Sequence, residues 1–139
     1  MTPAERFFSY IEAFNAGDWD RLTQFYAPDV CLIIGNGAEL RGRAAIVAFY
    51  QQVRAKARRT IRVVDCFSDG NVLAAELESE FVALVDAPDF AAHPLRQGDR
   101  FYINSLALYD FDDAFLTRIR AATLIREYRP ATVSEATPI

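Results

Sequence analysis

One segment near the amino terminus, residues 10–34, limits the fold more than any other part of the chain. It reads YIEAFNAGDWDRLTQFYAPDVCLII. Gly17 supplies the left-handed residue that ends a helix, and Asp18 directly after it is suited to cap the next one. The sequence Ala-Pro-Asp at 27–29 predicts a turn, and the unbroken apolar run at 30–34 predicts a strand covered on both faces. The segment therefore predicts a helix, a short helix, a turn and a strand in direct succession.

The rest of the chain supplies one more helix and most of a sheet. Thr2, Pro3 and Glu5 are the residue types that open a helix. The elements predicted beyond the first segment are a helix at 44–57, strands at 60–68, 71–85, 100–111 and 115–128, and a loop at 86–98. Three helices ahead of most of a four- or five-stranded antiparallel sheet predict an α+β fold.

Composition places the chain among single-domain globular proteins. It has 139 residues, of which 52% are hydrophobic, and a formal net charge of −4. We expect one domain over 1–129 and a disordered tail over 130–139, which has nothing to bury. The acidic balance argues against a nucleic-acid partner. No run approaches the roughly 20 apolar residues of a membrane span and no leader pattern is present, so we predict a cytoplasmic protein without a membrane partner.

Residues that usually hold metals or cofactors are few and scattered. His93 is the only histidine and is predicted to be exposed in its loop, with a role as a lid and general base as the alternative. Cys31 and Cys66 lie in apolar runs, which predicts buried, reduced thiols. There is no phosphate loop or dinucleotide fingerprint, so we expect neither a cofactor nor a metal. The basic residues within 54–62 are typical of a solvated helix end.

Three motifs carry a resemblance to a known superfamily. They are FNAGDWDRLTQFYAPDV, LRGRAAIVAFY and a closing hairpin that ends in REY, and together they extend over residues 3–128. In these motifs and their order the chain resembles the nuclear transport factor 2-like superfamily, in particular its SnoaL-like and ketosteroid isomerase-like branches. The resemblance implies a cystatin-like cone, with three N-terminal helices packed on a strongly curved, mostly antiparallel sheet and an apolar pocket open at one end. It also implies a homodimer formed through the outer face of the sheet.

The resemblance assigns roles to three tyrosines but supplies no catalytic acid. Tyr10 matches the helix-1 tyrosine that donates a hydrogen bond to the substrate oxyanion, and Tyr26 and Tyr50 match two supporting tyrosines. The family's aspartate base falls on Ile34, and its second acid falls on Leu106. Because isomerisation needs a carboxylate to carry the proton, this argues against steroid isomerase activity. No Arg-x-Asp motif occurs either, which argues against the chemistry of the related limonene epoxide hydrolases.

Asn104 is a further candidate on the strand at 101–109. It shares a face with Tyr102, Leu106 and Leu108, and the resemblance implies that this face lines the pocket. An amide among apolar neighbours is suited to orient a ligand. The alternative is an amide that satisfies a bend in the sheet.

Charged residues alternate on two of the predicted strands. Glu76, Glu78 and Glu80 lie on one face, as do Arg118 and Arg120 near the end of the chain. Opposite charges on neighbouring strands predict cross-strand pairs on an exposed or dimer-facing side. The alternative is that Glu78 points into the pocket as an acid or base.

Two functions remain open from the sequence. In the first, the apolar pocket binds a small hydrophobic ligand, cyclic or carbonyl-bearing. Tyr10 and Glu78 are then the candidate catalytic residues, and the candidate ligand-binding residues are Trp19, Tyr26, Tyr50, Asn104 and Leu106. Proton-transfer chemistry such as isomerisation, cyclisation or dehydration fits best if there is a reaction at all. In the second, the chain is a non-catalytic dimerisation or partner-binding module, because a fold does not fix a function. The volume of the interior cavity distinguishes the two.

Overall fold

The computed structural model describes residues 1–35 and 37–131. The helices are α1 (Pro3–Ala16), α2 (Trp19–Thr23) and α3 (Arg43–Lys56). The strands are β1 (Tyr26–Ile33), β2 (Glu39–Arg41), β3 (Ala57–Asp69), β4 (Val72–Ala83), β5 (Arg100–Asp112) and β6 (Phe115–Arg129). All helices and strands predicted from the sequence are present, with small differences at their ends.

The ends of α1 follow the residues that predicted them. The Thr2 side chain accepts from the Glu5 N–H at 3.1 Å, and the Glu5 carboxylate accepts from the Thr2 N–H at 3.2 Å. Gly17 has a φ of 66°, a left-handed conformation that favours glycine, and its N–H donates to Phe14. Asp18 then caps α2 through the Arg21 N–H at 3.2 Å. These local signals fix the angle at which the chain turns from α1 into α2.

The strands form one mixed sheet in the order β2-β1-β6-β5-β4-β3. β1 runs parallel to β6, whereas the other described pairs are antiparallel. The prediction of four or five antiparallel strands missed the short strand β2 and the parallel pair. The turn predicted at 27–29 lies inside β1, where the register to β6 shifts between Tyr26 and Cys31 and accommodates Pro28. The predicted α+β cone is confirmed.

The sheet has one covered and one open face. In β4 the residues alternate: Leu77 and Ser79 are buried, whereas Glu76 and Glu78 are half-buried on the opposite side. Helices α1 and α3 share a hydrophobic core with the side of Leu77, which we call the inner face. The opposite side is the outer face. Irregular pairing at 63–65 in β3 bends the sheet and increases its twist.

A buried carboxylate fastens the end of β6 to the loop before β5. Asp99 is 3% exposed and accepts hydrogen bonds from the Arg96 N–H, the Ala131 N–H and the Tyr128 hydroxyl, each at 2.8 Å. Burial acts to raise the pKa of this carboxyl, but the three hydrogen bonds outweigh it and the pKa is lowered. Of the predicted tail, the structure describes the residues up to Ala131. Residues 132–139 lie outside the described part.

The exposure of His93, in the 86–98 loop, and of Cys66 differs from the prediction. His93 is half-buried rather than exposed, because its ring stacks on Tyr128 with centroids 3.9 Å apart. Its Nδ1 lies 2.6 Å from the Pro94 carbonyl oxygen, which requires a proton on that nitrogen. Cys31 is buried and Cys66 is half-buried, and both are free thiols. His93 therefore belongs to the packing of this loop against β5 and β6.

Candidate functional site

Two of the three predicted tyrosines form a buried hydrogen-bonded pair. The Tyr10 and Tyr26 hydroxyls lie 2.8 Å apart, and neither residue is more than 3% exposed. Burial raises the pKa of both hydroxyls well above the usual value, and for Tyr10 the nearby Tyr26 raises it further. Tyr109, whose ring centroid lies 6.1 Å from that of Tyr10, is a further tyrosine here that was not among the residues predicted from the sequence. The pair is a neutral, sealed part of the core.

Tyr50 differs from this pair in the surroundings of its hydroxyl. Burial raises the pKa of its hydroxyl, whereas the positive charge of Arg59 and the nearby Tyr10 hydroxyl lower it. In the part of the chain that the structure describes, however, the Tyr50 hydroxyl forms no hydrogen bond of standard length. Its ring packs edge-on against Phe14 with centroids 4.9 Å apart. The Tyr109 hydroxyl also lacks such a bond among the described residues, but of these two tyrosines only Tyr50 borders a void.

Tyr50 borders a small void that we call the Trp19 site. The void measures about 10 Å³, enough for roughly one water molecule. Its lining combines three aromatic rings, one aliphatic side chain and two cations: Phe14, Trp19, Tyr50, Val53, Arg54 and Arg59. The wide interior pocket that the resemblance implies is therefore closed in this structure, and by cavity volume this favours the dimerisation or partner-binding module over a preformed ligand pocket.

Arg59 is the residue at this site that sequence analysis did not identify. Its Nε and Nη2 donate to the buried Ser79 hydroxyl at 3.2 and 3.1 Å. Its guanidinium carbon lies 5.3 Å from the ring centroid of Phe14 and 5.2 Å from that of Phe81. These contacts hold a half-buried cation in a fixed position. Among the described residues, no carboxylate forms an ion pair with it.

The alternation of β3 explains why Arg59 turns inward. Ala57 and Ile61, two residues to either side, are both buried on the inner face. The Asn15 side chain fixes this register, because it donates to the Ile61 carbonyl at 2.9 Å and accepts from the Ile61 N–H at 2.8 Å. The prediction that the basic residues within 54–62 form one solvated helix end is therefore wrong, because Arg59 lies on β3 and points inward. The sequence signal for Arg59 was its place between two inward apolar residues.

The structure does not place Asn104 and Leu106 beside the tyrosines. Both lie on the outer face, where Asn104 donates to the Glu76 carboxylate at 2.9 Å and Leu106 is 48% exposed. The expectation that their face lines the interior is wrong. The inner positions of β5 belong to Ser105 and Ala107, which are buried.

The glutamates also lie on the outer face. Glu78 pairs with Arg62 of β3 at 2.6 Å, and Glu80 accepts from the Tyr102 hydroxyl at 2.8 Å. Glu78 is therefore on the opposite side of the sheet from Tyr10. Arg118 and Arg120 bind Asp110 of β5, at 2.8 and 3.2 Å, instead of the glutamates, because β5 separates β4 from β6.

A second concavity, the outer groove, crosses the outer face. It has a volume of about 500 Å³. Phe67 at one end is 71% exposed, and the floor is made largely of small and aliphatic residues: Ala74, Leu106, Leu108 and Ala122. Arg120 lies on its lining, and its Nε is buried without a hydrogen-bond partner among the described residues.

Residues 1–35 and 37–131 contain no cluster of three or more His, Cys, Asp or Glu side chains arranged to hold a metal ion. No helix within these ranges is both long and apolar enough to cross a membrane. The lining of the Trp19 site contains no carboxylate. Its chemical groups are a phenol, two guanidinium groups and aromatic carbon.

The fold is shared with a large set of solved structures. A candidate polyketide cyclase from Xanthomonas campestris pv. campestris is 28% identical, with 86% of this chain and 87% of that chain covered and a TM-score of 0.75. A second candidate polyketide cyclase, from Pseudomonas putida KT2440, is 24% identical over 90% and 93% of the two chains, with a TM-score of 0.73. An LEH-like epoxide hydrolase of M. tuberculosis is 14% identical over 86% and 80%, with a TM-score of 0.69.

Comparison with curated protein sequences found no match. The profile of the SnoaL-like domain, in contrast, matches residues 6–119. This range begins in α1 and ends in β6, so it includes the tyrosine pair, the Trp19 site and the part of the outer groove that precedes Arg120. The chain belongs to the SnoaL-like domain family.

Proposed function

We propose that this protein binds a small hydrophobic ligand with a carbonyl or enol oxygen at the Trp19 site. The observation that carries the proposal is the chemistry of the lining. Trp19 and Phe14 offer aromatic surface, while Tyr50 and Arg59 offer hydrogen-bond donors that no carboxylate occupies. A few polar groups on an apolar wall are typical of sites for small ligands.

Binding requires the site to open, because a void of about 10 Å³ holds no organic ligand. Trp19 and Arg54 are only half-buried, so their side chains can move without unfolding the core, while Arg59 keeps its hydrogen bonds to Ser79. Tyr10 and Tyr26 lie deeper and are sealed. In this proposal the Tyr50 hydroxyl contacts the ligand, and the more deeply buried Tyr10 hydroxyl interacts with that of Tyr50.

The groups at the site suit the polarisation of a carbonyl oxygen. A phenol and a guanidinium group stabilise negative charge on that oxygen, most strongly where water is excluded. The lining supplies no carboxylate to move a proton between carbon atoms. The relation to candidate polyketide cyclases supports a ligand rich in carbonyl groups. The missing Arg-x-Asp motif argues against epoxide hydrolysis.

The fluorescence of Trp19, the only tryptophan of the chain, tests this proposal directly. We expect acetonaphthone, a neutral aromatic ketone, to quench it in a saturable way. Tyr50→Phe should weaken binding by about threefold to tenfold, since it removes one neutral hydrogen bond. Tyr109→Phe is the matched control, because Tyr109 is buried but does not line the site. Absence of saturable quenching, or an equal loss in both variants, would overturn the proposal.

We also propose that the protein forms a homodimer through the outer face, as a second role. The outer groove exposes Leu106 and Phe67, and its charges are separated. Asp65 and Glu76 lie towards β3, whereas Arg120 lies on β6 at the other side. A two-fold axis along the strands sets the β3 side of one copy over the β6 side of the other. Asp65 and Glu76 of one copy then approach Arg120 of the other, which already binds Asp110 through Nη2 but whose Nε has no partner among the described residues.

A further inference from the structure

The Trp19 site carries positive charge that the protein does not neutralise. Arg54 and Arg59 both line the void, and neither forms an ion pair within the described residues. Two nearby basic residues differ in this respect, since Lys56 pairs with Asp89 and Arg62 pairs with Glu78. The whole chain has a net charge of −4, so this local excess runs against the overall balance.

We propose that the Trp19 site selects anionic ligands, in the form of an aromatic carboxylate. This inference rests on the proposed function and names the ligand class that the site prefers. The planar carboxylate would take the place of the acidic partner that Arg59 lacks. The ring attached to it would pack on Trp19 and Phe14.

The position of Arg59 is suited to this role. Two of its nitrogens, Nε and Nη2, are occupied by Ser79, but Nη1 has no hydrogen-bond acceptor in the described part of the chain. Phe14 and Phe81 hold the guanidinium group in place. A fixed guanidinium group loses little conformational freedom when it binds a carboxylate, and such hydrogen bonds are the stronger kind.

Arg54 adds a second cation from α3. Its guanidinium group lies against Gly17, so close that a Cβ placed there would be 3.2 Å away. The glycine that ends α1 therefore also makes room for this arginine. Two cations from different elements, α3 and β3, thus approach one void. Their combined charge favours an anion over a neutral ligand of the same shape.

Isothermal titration calorimetry with naphthoate and naphthamide, which share one ring system, tests the inference. We expect the wild-type protein to bind naphthoate about tenfold more tightly than the amide, as charged hydrogen bonds allow. Arg59→Met should weaken naphthoate binding much more than naphthamide binding and so remove this preference. Arg62→Met is the control, because Arg62 pairs with Glu78 on the outer face, and it should keep the preference. Arg59→Gln repeats the test with a polar side chain in case Arg59→Met does not fold.

The outcomes separate this inference from the proposed function. If wild type binds acid and amide with equal affinity, the anion preference is wrong and the site still binds small ligands. If neither probe binds, both proposals fail. The comparison of the two probes in the wild-type protein decides the matter even where a variant unfolds.

Discussion

Tyr10 shows how the surroundings of a residue change its assignment. Its place in α1 resembles that of a donor to a ligand, but its hydroxyl is bonded to Tyr26 at 2.8 Å inside the core. Tyr50, which is placed beside the void, has the more accessible chemistry. The sequence located all three tyrosines, but it could not rank them, because burial depends on side chains from distant parts of the chain.

The hydrogen bond between Tyr10 and Tyr26 leads to a stability prediction. Tyr10→Phe and Tyr26→Phe should each lower the free energy of unfolding by about 1–3 kcal/mol, because each leaves a buried hydroxyl without its partner. The double variant should lose less than the sum of the two, since no unpaired hydroxyl remains. Denaturant unfolding of the four proteins measures these differences.

The control for this comparison of single and double variants combines Tyr109→Phe with Tyr10→Phe. Tyr109 is buried near Tyr10 but shares no hydrogen bond with it. We expect the losses of this second pair to add. Additive losses for Tyr10 and Tyr26 as well would mean that their hydroxyls do not stabilise each other.

At the scale of elements, β5 shows what the sequence leaves open. Both of its faces are rich in apolar residues: Phe101, Ala107 and Tyr109 on one side, Leu106 and Leu108 on the other. Alternation alone cannot tell which of two apolar faces the helices cover. The face of Asn104 and Leu106 was predicted to be the inner one, but in the structure it is the outer face.

The open face of β5 leads to a prediction about assembly. We expect the protein to sediment as a dimer, and Leu106→Glu to sediment as a monomer, because a charge would be buried in the apolar centre of the interface. Phe8→Glu is the matched control, since Phe8 is 49% exposed on α1, away from the sheet. A monomeric wild-type protein, or dimers of all three, would contradict this interface.

Other elements could be predicted from short motifs alone. The stop at Gly17 and the cap at Asp18 depend only on neighbouring residues, and both are confirmed. The short strand β2 and the parallel pairing of β1 with β6 depend on contacts between distant segments. For the same reason the inward position of Arg59 became clear only from the register of β3 beside Asn15.

The whole molecule offers two places for recognition, on opposite faces of one sheet. The Trp19 site is small, aromatic and cationic, whereas the outer groove is wide and largely apolar. Membership of the SnoaL-like family is compatible with a function at the Trp19 site or at the outer groove, because one fold can support several functions. We propose that the first binds small ligands and that the second binds another copy of the chain.

A crystal structure of the protein with acetonaphthone tests this assignment most directly. We expect the ring of the ketone against Trp19 and Phe14, with these side chains moved apart. Its carbonyl oxygen should lie about 3 Å from the Tyr50 hydroxyl or from a nitrogen of Arg59. A ketone bound only in the outer groove, with the Trp19 site still closed, would contradict the central claim.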